Sequence, residues 1–304
     1  MDISLIGVPI FFGSDKKGAE LGPKKLREKN IVEVLRRNNH TVYDCGDIYV
    51  DNIPEDRKYE FHPKMKYLKP IAEVNRNLAH QVYSSLCAGS FPLIMGGDHS
   101  IGLGSISGAS KYFKDEDLAV IWIDAHGDIN TPETTPSGNV HGMPLAAAMG
   151  IGYDELVDLY HIGGKVKPEN VFIVGARDLD EGEKEMIKQY NMTVFSTEDV
   201  QTMGVERIME TIHCKLQDKG IKAVHLSFDI DSVDPEFVPG TGTPVAEGMN
   251  VIQVKYVLKY LIDTQLVKSM DIVELNPELD IDDKTADLYI DLISYVFGHL
   301  KETI

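Results

Sequence analysis

Leu118-Ala119-Val120-Ile121-Trp122-Ile123-Asp124-Ala125-His126-Gly127-Asp128 joins an uninterrupted apolar run to three side chains that bind metals well. A run this apolar reads as a strand buried on both faces, the kind found in parallel sheets covered by helices. In such sheets ligands bind beyond the carboxyl ends of the strands, and Asp124, His126 and Asp128 fall at such an end. Residues two apart in extended chain point to one side, so the spacing predicts that the three converge. Carboxylates with an imidazole suit Mn²⁺ better than copper or an ion that prefers thiolates.

The arrangement recurs on either side. Val224–Phe228 is strand-like and ends in Asp229-Ile230-Asp231, and Pro92–Met95 opens into Gly96-Gly97-Asp98-His99-Ser100. The histidines His99 and His126 with the aspartates Asp124, Asp128, Asp229 and Asp231 exceed the needs of one ion. They point to two ions roughly 3.5–4 Å apart, as in other two-metal hydrolytic sites. Any one aspartate is equally well read as a solvated loop residue. All of them together would aim a dense negative charge at one place, and bound metal is what would neutralise it.

Strand-like and helix-like segments alternate along the whole chain. The strand candidates are Ile3–Val8, Thr41–Asp44, Pro92–Met95, Leu118–Ile123, Val171–Val174, Thr193–Phe195, Val224–Phe228 and Met270–Leu275. Helical patterns lie at Pro23–Asn38, Ile71–Ala88, Glu181–Gln189, Val205–Gln217, Val251–Thr264 and Lys284–Leu300. This alternation predicts an α/β fold with a mainly parallel sheet and helices on both faces. A length of 304 residues would permit two domains, but no linker or change of composition divides the chain, so one domain over 1–304 is expected.

The formal net charge is −18, which disfavours nucleic acid or an anionic membrane as partner and suits a cationic small molecule. Cys45, Cys87 and Cys214 are scattered and in no metal-binding spacing, and read as reduced thiols of a cytoplasmic protein. The apolar stretch Ile3–Gly13 is broken by Pro9 and falls far short of the ~20 residues of a membrane span.

GGDHS at 96–100, DAHGDINTPETTPSGNVHGMPLA at 124–146 and SFDIDSVDPEFVPGTGTPVAEG at 227–248 resemble the signatures of the arginase and agmatinase (ureohydrolase) superfamily. The likeness extends to Gly7-Val8-Pro9, to Gly18–Arg27 and to Asp271–Asn276, and so spans the chain. It implies an eight-stranded, three-layer α/β/α sandwich and a homo-oligomer, trimeric or hexameric. It also implies two Mn²⁺ per chain, held by His99, Asp124, His126, Asp128, Asp229 and Asp231. A hydroxide bridging the two ions would attack a guanidinium carbon to give an amine and urea, with Asp128 both ligand and acceptor for the hydroxide.

Glu274, after an apolar strand, could hold a planar guanidinium in a bidentate fork; a strand-end ion pair is the lesser alternative. His141, in the Gly-flanked loop Gly138–Gly142, is expected to be exposed and to shuttle a proton to the leaving amine. The resemblance makes both catalytic. By the same likeness Asn130, Thr135, Ser137 and Asn139 would hold an α-carboxylate, with Gly142 on the same loop. Asp180, in Arg177-Asp178-Leu179-Asp180, would take the α-amino group, and Thr243 would lie near the guanidinium. Asp180 could instead be a solvated acid before a helix. Departures from the family pattern are Gly240 in place of Ala and Lys17 in place of Arg.

The donor row favours L-arginine as substrate, giving L-ornithine and urea. Agmatine, giving putrescine and urea, is the alternative, since agmatinase-like chains usually carry apolar residues in that loop. Deacetylases of this fold use one Zn²⁺ and lack counterparts of His99 and Asp128. A binding protein without turnover would have no chemical need for Glu274 and His141.

Overall fold

The computed structural model describes residues 1–113 and 117–298. Its strands are β1 (Asp2–Val8), β2 (Thr41–Asp47), β3 (Phe91–Gly96), β4 (Leu118–Ile123), β5 (Val171–Ala176), β6 (Thr193–Ser196), β7 (Ala223–Asp229) and β8 (Val267–Val273). They form one eight-stranded sheet in the order β2-β1-β3-β8-β7-β4-β5-β6. Every neighbouring pair is parallel.

The helices are α1 (Gly22–Glu28), α2 (Ile31–Arg37), α3 (Leu68–Cys87), α4 (Gly102–Phe113), α5 (Pro144–Ala148), α6 (Asp154–Val157), α7 (Glu181–Tyr190), α8 (Thr197–Met203), α9 (Val205–Asp218), α10 (Val251–Asp263) and α11 (Lys284–Phe297). They cover both faces, because successive residues of a strand point to opposite sides. Ile121, Leu226 and Met270 pack with Ile212 of α9, Val257 of α10 and Leu292 of α11. Val120, Trp122 and Ile173 pack with Leu78 of α3 and Ile106 of α4 on the other side. The interior strands β3, β4, β5 and β7 are buried at every residue, which explains why β4 reads as an unbroken apolar run.

Three sequence expectations need correction. The helix expected over Pro23–Asn38 is two helices, parted by Asn30 in a left-handed conformation (φ 62°). The last strand begins at Val267 and stops at Val273, because Glu274 turns out of it with φ 63° and donates its backbone N–H to Gly97 O. The last helix ends at Phe297; Leu300, to which it was expected to run, lies outside the described residues. Among the described residues no helix is long and apolar enough to cross a membrane, and Cys45, Cys87 and Cys214 are exposed and free.

Candidate metal centre

The central strands β3, β8, β7 and β4 lie side by side, so their carboxyl ends deliver residues distant in sequence to one spot. Past β3, Asp98 caps a short 3₁₀ turn, accepting from Ser100 N at 3.0 Å and from Gly13 N at 2.8 Å. This turn presents His99, whose ring stacks on Trp122 with centroids 3.9 Å apart. Past β4, the chain leaves extended geometry at Asp124, and Asp128 adopts φ 52°. Convergence here therefore comes from a turn, not from strand alternation. Past β7, Asp229 Oδ1 accepts from Asp231 N at 2.8 Å and closes another 3₁₀ turn.

His99 Nδ1 lies 2.8 Å from Asp124 Oδ2, 3.1 Å from Asp229 Oδ2 and 3.2 Å from Asp128 Oδ2. His126 Nδ1 lies 3.2 Å from both Asp124 Oδ1 and Asp231 Oδ2. Asp124 thus turns one oxygen to each histidine, and the donors fall into two groups that share it. His99 is 1 % exposed, and its buried Nδ1 makes no hydrogen bond despite the oxygens around it.

The electrostatics call for a cation. Burial and then repulsion from Asp124 push Asp128 up to about 6. Burial, then Asp231, hold Asp229 well above the carboxylate range, and burial with Asp124 raises Asp231. Although burial opposes its ionisation, Asp124 is held below that range by His126 and His99. Acids this close and this dry cannot all ionise without compensation. An orphaned imidazole nitrogen amid carboxylate oxygens is a donor set that fits divalent metal.

Beside the metal donors lies a cavity of about 130 Å³ lined by His126, Asp128, Asn130, Thr135, Ser137, Asn139, His141, Gly142, Asp180 and Thr243. A larger one, about 720 Å³, sits by Met1, Phe91 and Val267 at the amino ends of the strands, away from these acids. Chemistry and not size marks the site. In the smaller cavity Thr135 Oγ1 accepts from Gly138 N (3.0 Å) and Ser137 Oγ from Asn139 N (3.2 Å), which leaves both hydroxyl protons to donate. Asn139 is pinned, Oδ1 accepting from Lys66 Nζ and Nδ2 donating to Ser14 O. Asn130 Nδ2 donates to Asp180 Oδ2, and Asp180 caps α7. Thr243 Oγ1 donates to Asp231 Oδ2 at 3.0 Å.

Glu274 is 2 % exposed; its Oε1 accepts from His99 N at 2.8 Å and lies 3.4 Å from His141 Nδ1. His141 is not the exposed loop residue expected from its flanking glycines: it is partly buried in a 3₁₀ turn, with its backbone N–H on Gly13 O. Burial opposes its charge, but Glu274 outweighs that and raises its pKa.

Sequence reasoning passed over Glu183 and Lys66. Glu183 is 3 % exposed, lines the cavity and receives Asp180 N and Ile129 N; burial pushes it up to about 7. The spacing Asp180-x-x-Glu183 is a capping box and was the available signal. Lys66 had none, being brought to Asn139 only by the fold.

The family model described as "Arginase family" matches residues 1–298. An arginase of Brevibacillus brevis is 42 % identical over 297 residues, 98 % of each chain. One of Bacillus caldovelox is 40 % identical over 296 residues, 97 % of this chain and 98 % of that protein. The crystal structure of an arginase from Bacillus subtilis superposes with a TM-score of 0.90 at 39 % identity, covering 98 % of both chains.

Proposed function

The chain belongs to the arginase family, and on that footing we propose that it hydrolyses L-arginine to L-ornithine and urea. The observation that carries the reading is Asp124, whose two oxygens face two histidines and join two donor groups into one centre. His99, Asp124, Asp128 and Asp229 would hold one ion, and Asp124, His126 and Asp231 the other; Mn²⁺ suits this oxygen and imidazole set. When bound, such ions would let a water ionise near neutral pH.

The protein's own groups do the rest. Glu274 offers Oε2 to the guanidinium while Oε1 stays tied to His99 N and His141, so the planar group is held against a fixed carboxylate. Asp128 accepts a hydrogen bond from the attacking water and orients it. His141, whose protonated form Glu274 favours, donates a proton to the departing nitrogen. Thr135, Ser137, Asn130 and Asn139 offer donors to the α-carboxylate, Gly142 leaves room on that loop, and Asp180 accepts from the α-ammonium. Thr243, on Asp231, borders the guanidinium side.

This donor row favours arginine over agmatine, which has no carboxylate to use it, and the relatives named arginase support the same choice. The reading includes one catalytic domain over 1–304, since all eight strands join one sheet. It includes a cytoplasmic location, supported by three free cysteines, and a homo-oligomer, trimeric or hexameric, supported by the family likeness. It does not include nucleic acid or a membrane as partner, given a net charge of −18. Urea release from arginine and agmatine after Mn²⁺ loading tests the activity: equal turnover of both substrates would replace the arginine assignment with a broader amidinohydrolase.

A further inference from the structure

His99 is held from behind by a chain of buried polar groups that the mechanism above does not use. Its Nε2 lies 2.8 Å from Ser227 Oγ, and Ser227 Oγ donates to Asp271 Oδ2 at 3.4 Å. The same carboxylate oxygen lies 3.0 Å from His225 Nε2, and His225 Nδ1 lies 2.8 Å from Ser269 Oγ. All five side chains are at most 1 % exposed. The sheet register pairs His225 with Ser269 and Ser227 with Asp271, so two rungs of neighbouring strands put four polar groups on one face. That face otherwise carries Val120, Trp122 and Ile94.

The chain has a direction. A carboxylate only accepts, so the Ser227 hydroxyl hydrogen points to Asp271 and its lone pair faces His99. His99 must then carry its ring hydrogen on Nε2, which leaves the Nδ1 lone pair aimed at the Asp124, Asp128 and Asp229 oxygens. His225 donates to Asp271 from the other side and fixes the carboxylate in turn. Stability alone does not account for the array, because Asp271 Oδ1 is buried without a partner. His126 provides the contrast: among the described residues its Nε2 faces Asp178 Oδ2, 3.9 Å away and on a side chain 67 % exposed.

We propose that Asp271, backed by His225, is a positioning residue that acts through Ser227 to fix the tautomer and orientation of His99, and thereby the affinity of the metal position that His99 serves. The proposal rests on the metal reading above, and its test separates the two. Chelated protein is titrated with Mn²⁺ by calorimetry for wild type, Ser227→Ala, Asp271→Leu, His225→Leu and His225→Gln, with circular dichroism confirming the fold of each.

The expected result is two binding events in wild type. In Ser227→Ala and Asp271→Leu one of them weakens about 10- to 100-fold while the other stays within about threefold. Because a Gln amide can replace the Nε2 donor, His225→Gln should restore the weakened event that His225→Leu loses. In Zn²⁺-loaded wild type the His99 Nε2 hydrogen should exchange slowly by NMR, and in Ser227→Ala it should exchange fast. If Asp271→Leu does not fold, Ser227→Ala alone decides, since it cuts the chain by one oxygen atom. Two ions weakening together, or neither weakening in folded variants, would overturn the proposal alone. A wild type that binds no divalent ion would overturn the metal reading with it.

Discussion

Asn130 Nδ2 donates to Asp180 Oδ2 across 2.8 Å. A neutral donor after the metal motif and an acid capping α7 thus engage each other, although they arise 50 residues apart. A zwitterionic amino acid offers both complements, a carboxylate for the amide and an ammonium for the acid, whereas agmatine keeps the ammonium and lacks the carboxylate.

Asp180→Ala should therefore raise the KM for L-arginine about tenfold and change kcat by less than about threefold, because the lost contact is equal in ground and transition states. Agmatine, which keeps the ammonium, should lose binding as well. Steady-state kinetics with both substrates checks this, and unchanged arginine kinetics would remove Asp180 from the substrate contacts.

Chelation should abolish turnover, and Mn²⁺ should restore it, with two ions per chain by elemental analysis of the active protein. Asp124→Ala should weaken both ions, since this residue faces both histidines, while Asp231→Ala should weaken mainly the ion beside His126. Full activity after exhaustive chelation would rule the centre out.

Glu274→Gln should lower kcat/KM for both substrates by about 100-fold or more. The amide keeps an oxygen for His99 N but loses the charge that would hold the guanidinium and that favours the His141 proton. A variant affected only in KM would place Glu274 outside the chemical step.

Turnover should climb from neutral toward alkaline pH, because the nucleophilic water must lose a proton. Glu274 raises the pKa of His141, which favours its proton-donor form. A pH profile that peaks below neutrality contradicts this assignment.

Stability of the chelated protein should fall as pH rises toward and through neutrality. Burial raises Glu183 from 4.5 to about 7. The native state then binds the extra proton between those values, so the contribution is full below about 4.5 and lost as pH rises through about 7. Thermal melts of wild type and Glu183→Gln between pH 4.5 and 8 should differ in slope over that window, and identical slopes would exclude Glu183 as a contributor.

Strand β4 and its ligands could be read directly because burial on both faces leaves an unmistakable apolar run, and function needs its polar residues where the run stops. Helix α4 went unread for the opposite reason. Its glycines and serines are poor helix formers, yet a Cβ at Gly104 or Gly108 would sit 2.6 Å from Asn75 O or 2.5 Å from Ala79 O of α3. Close packing chose them over propensity. Asn30 interrupts its helix because asparagine tolerates φ > 0, a local preference that the apolar pattern of Pro23–Asn38 concealed. His225 and Ser227 sit inside a strand-like segment, and their partners Ser269 and Asp271 lie over forty residues away. No spacing rule connects them; only the register of β7 against β8 does.

The order β3-β8-β7-β4 has a consequence for synthesis. β3 and β4 are consecutive in the chain but stand apart in the sheet, and the two strands between them are the last to leave the ribosome. A nascent chain that has released His99, Asp124 and His126 cannot yet gather them, because the seats of Asp229, Asp231 and Glu274 arrive only with β7 and β8. Long-range parallel pairing of this kind is slow, so the chain passes through a late stage without its metal pocket. Capture of a metal ion would then report that β7 and β8 have inserted, and a truncated or stalled chain would have no complete centre in which to trap it.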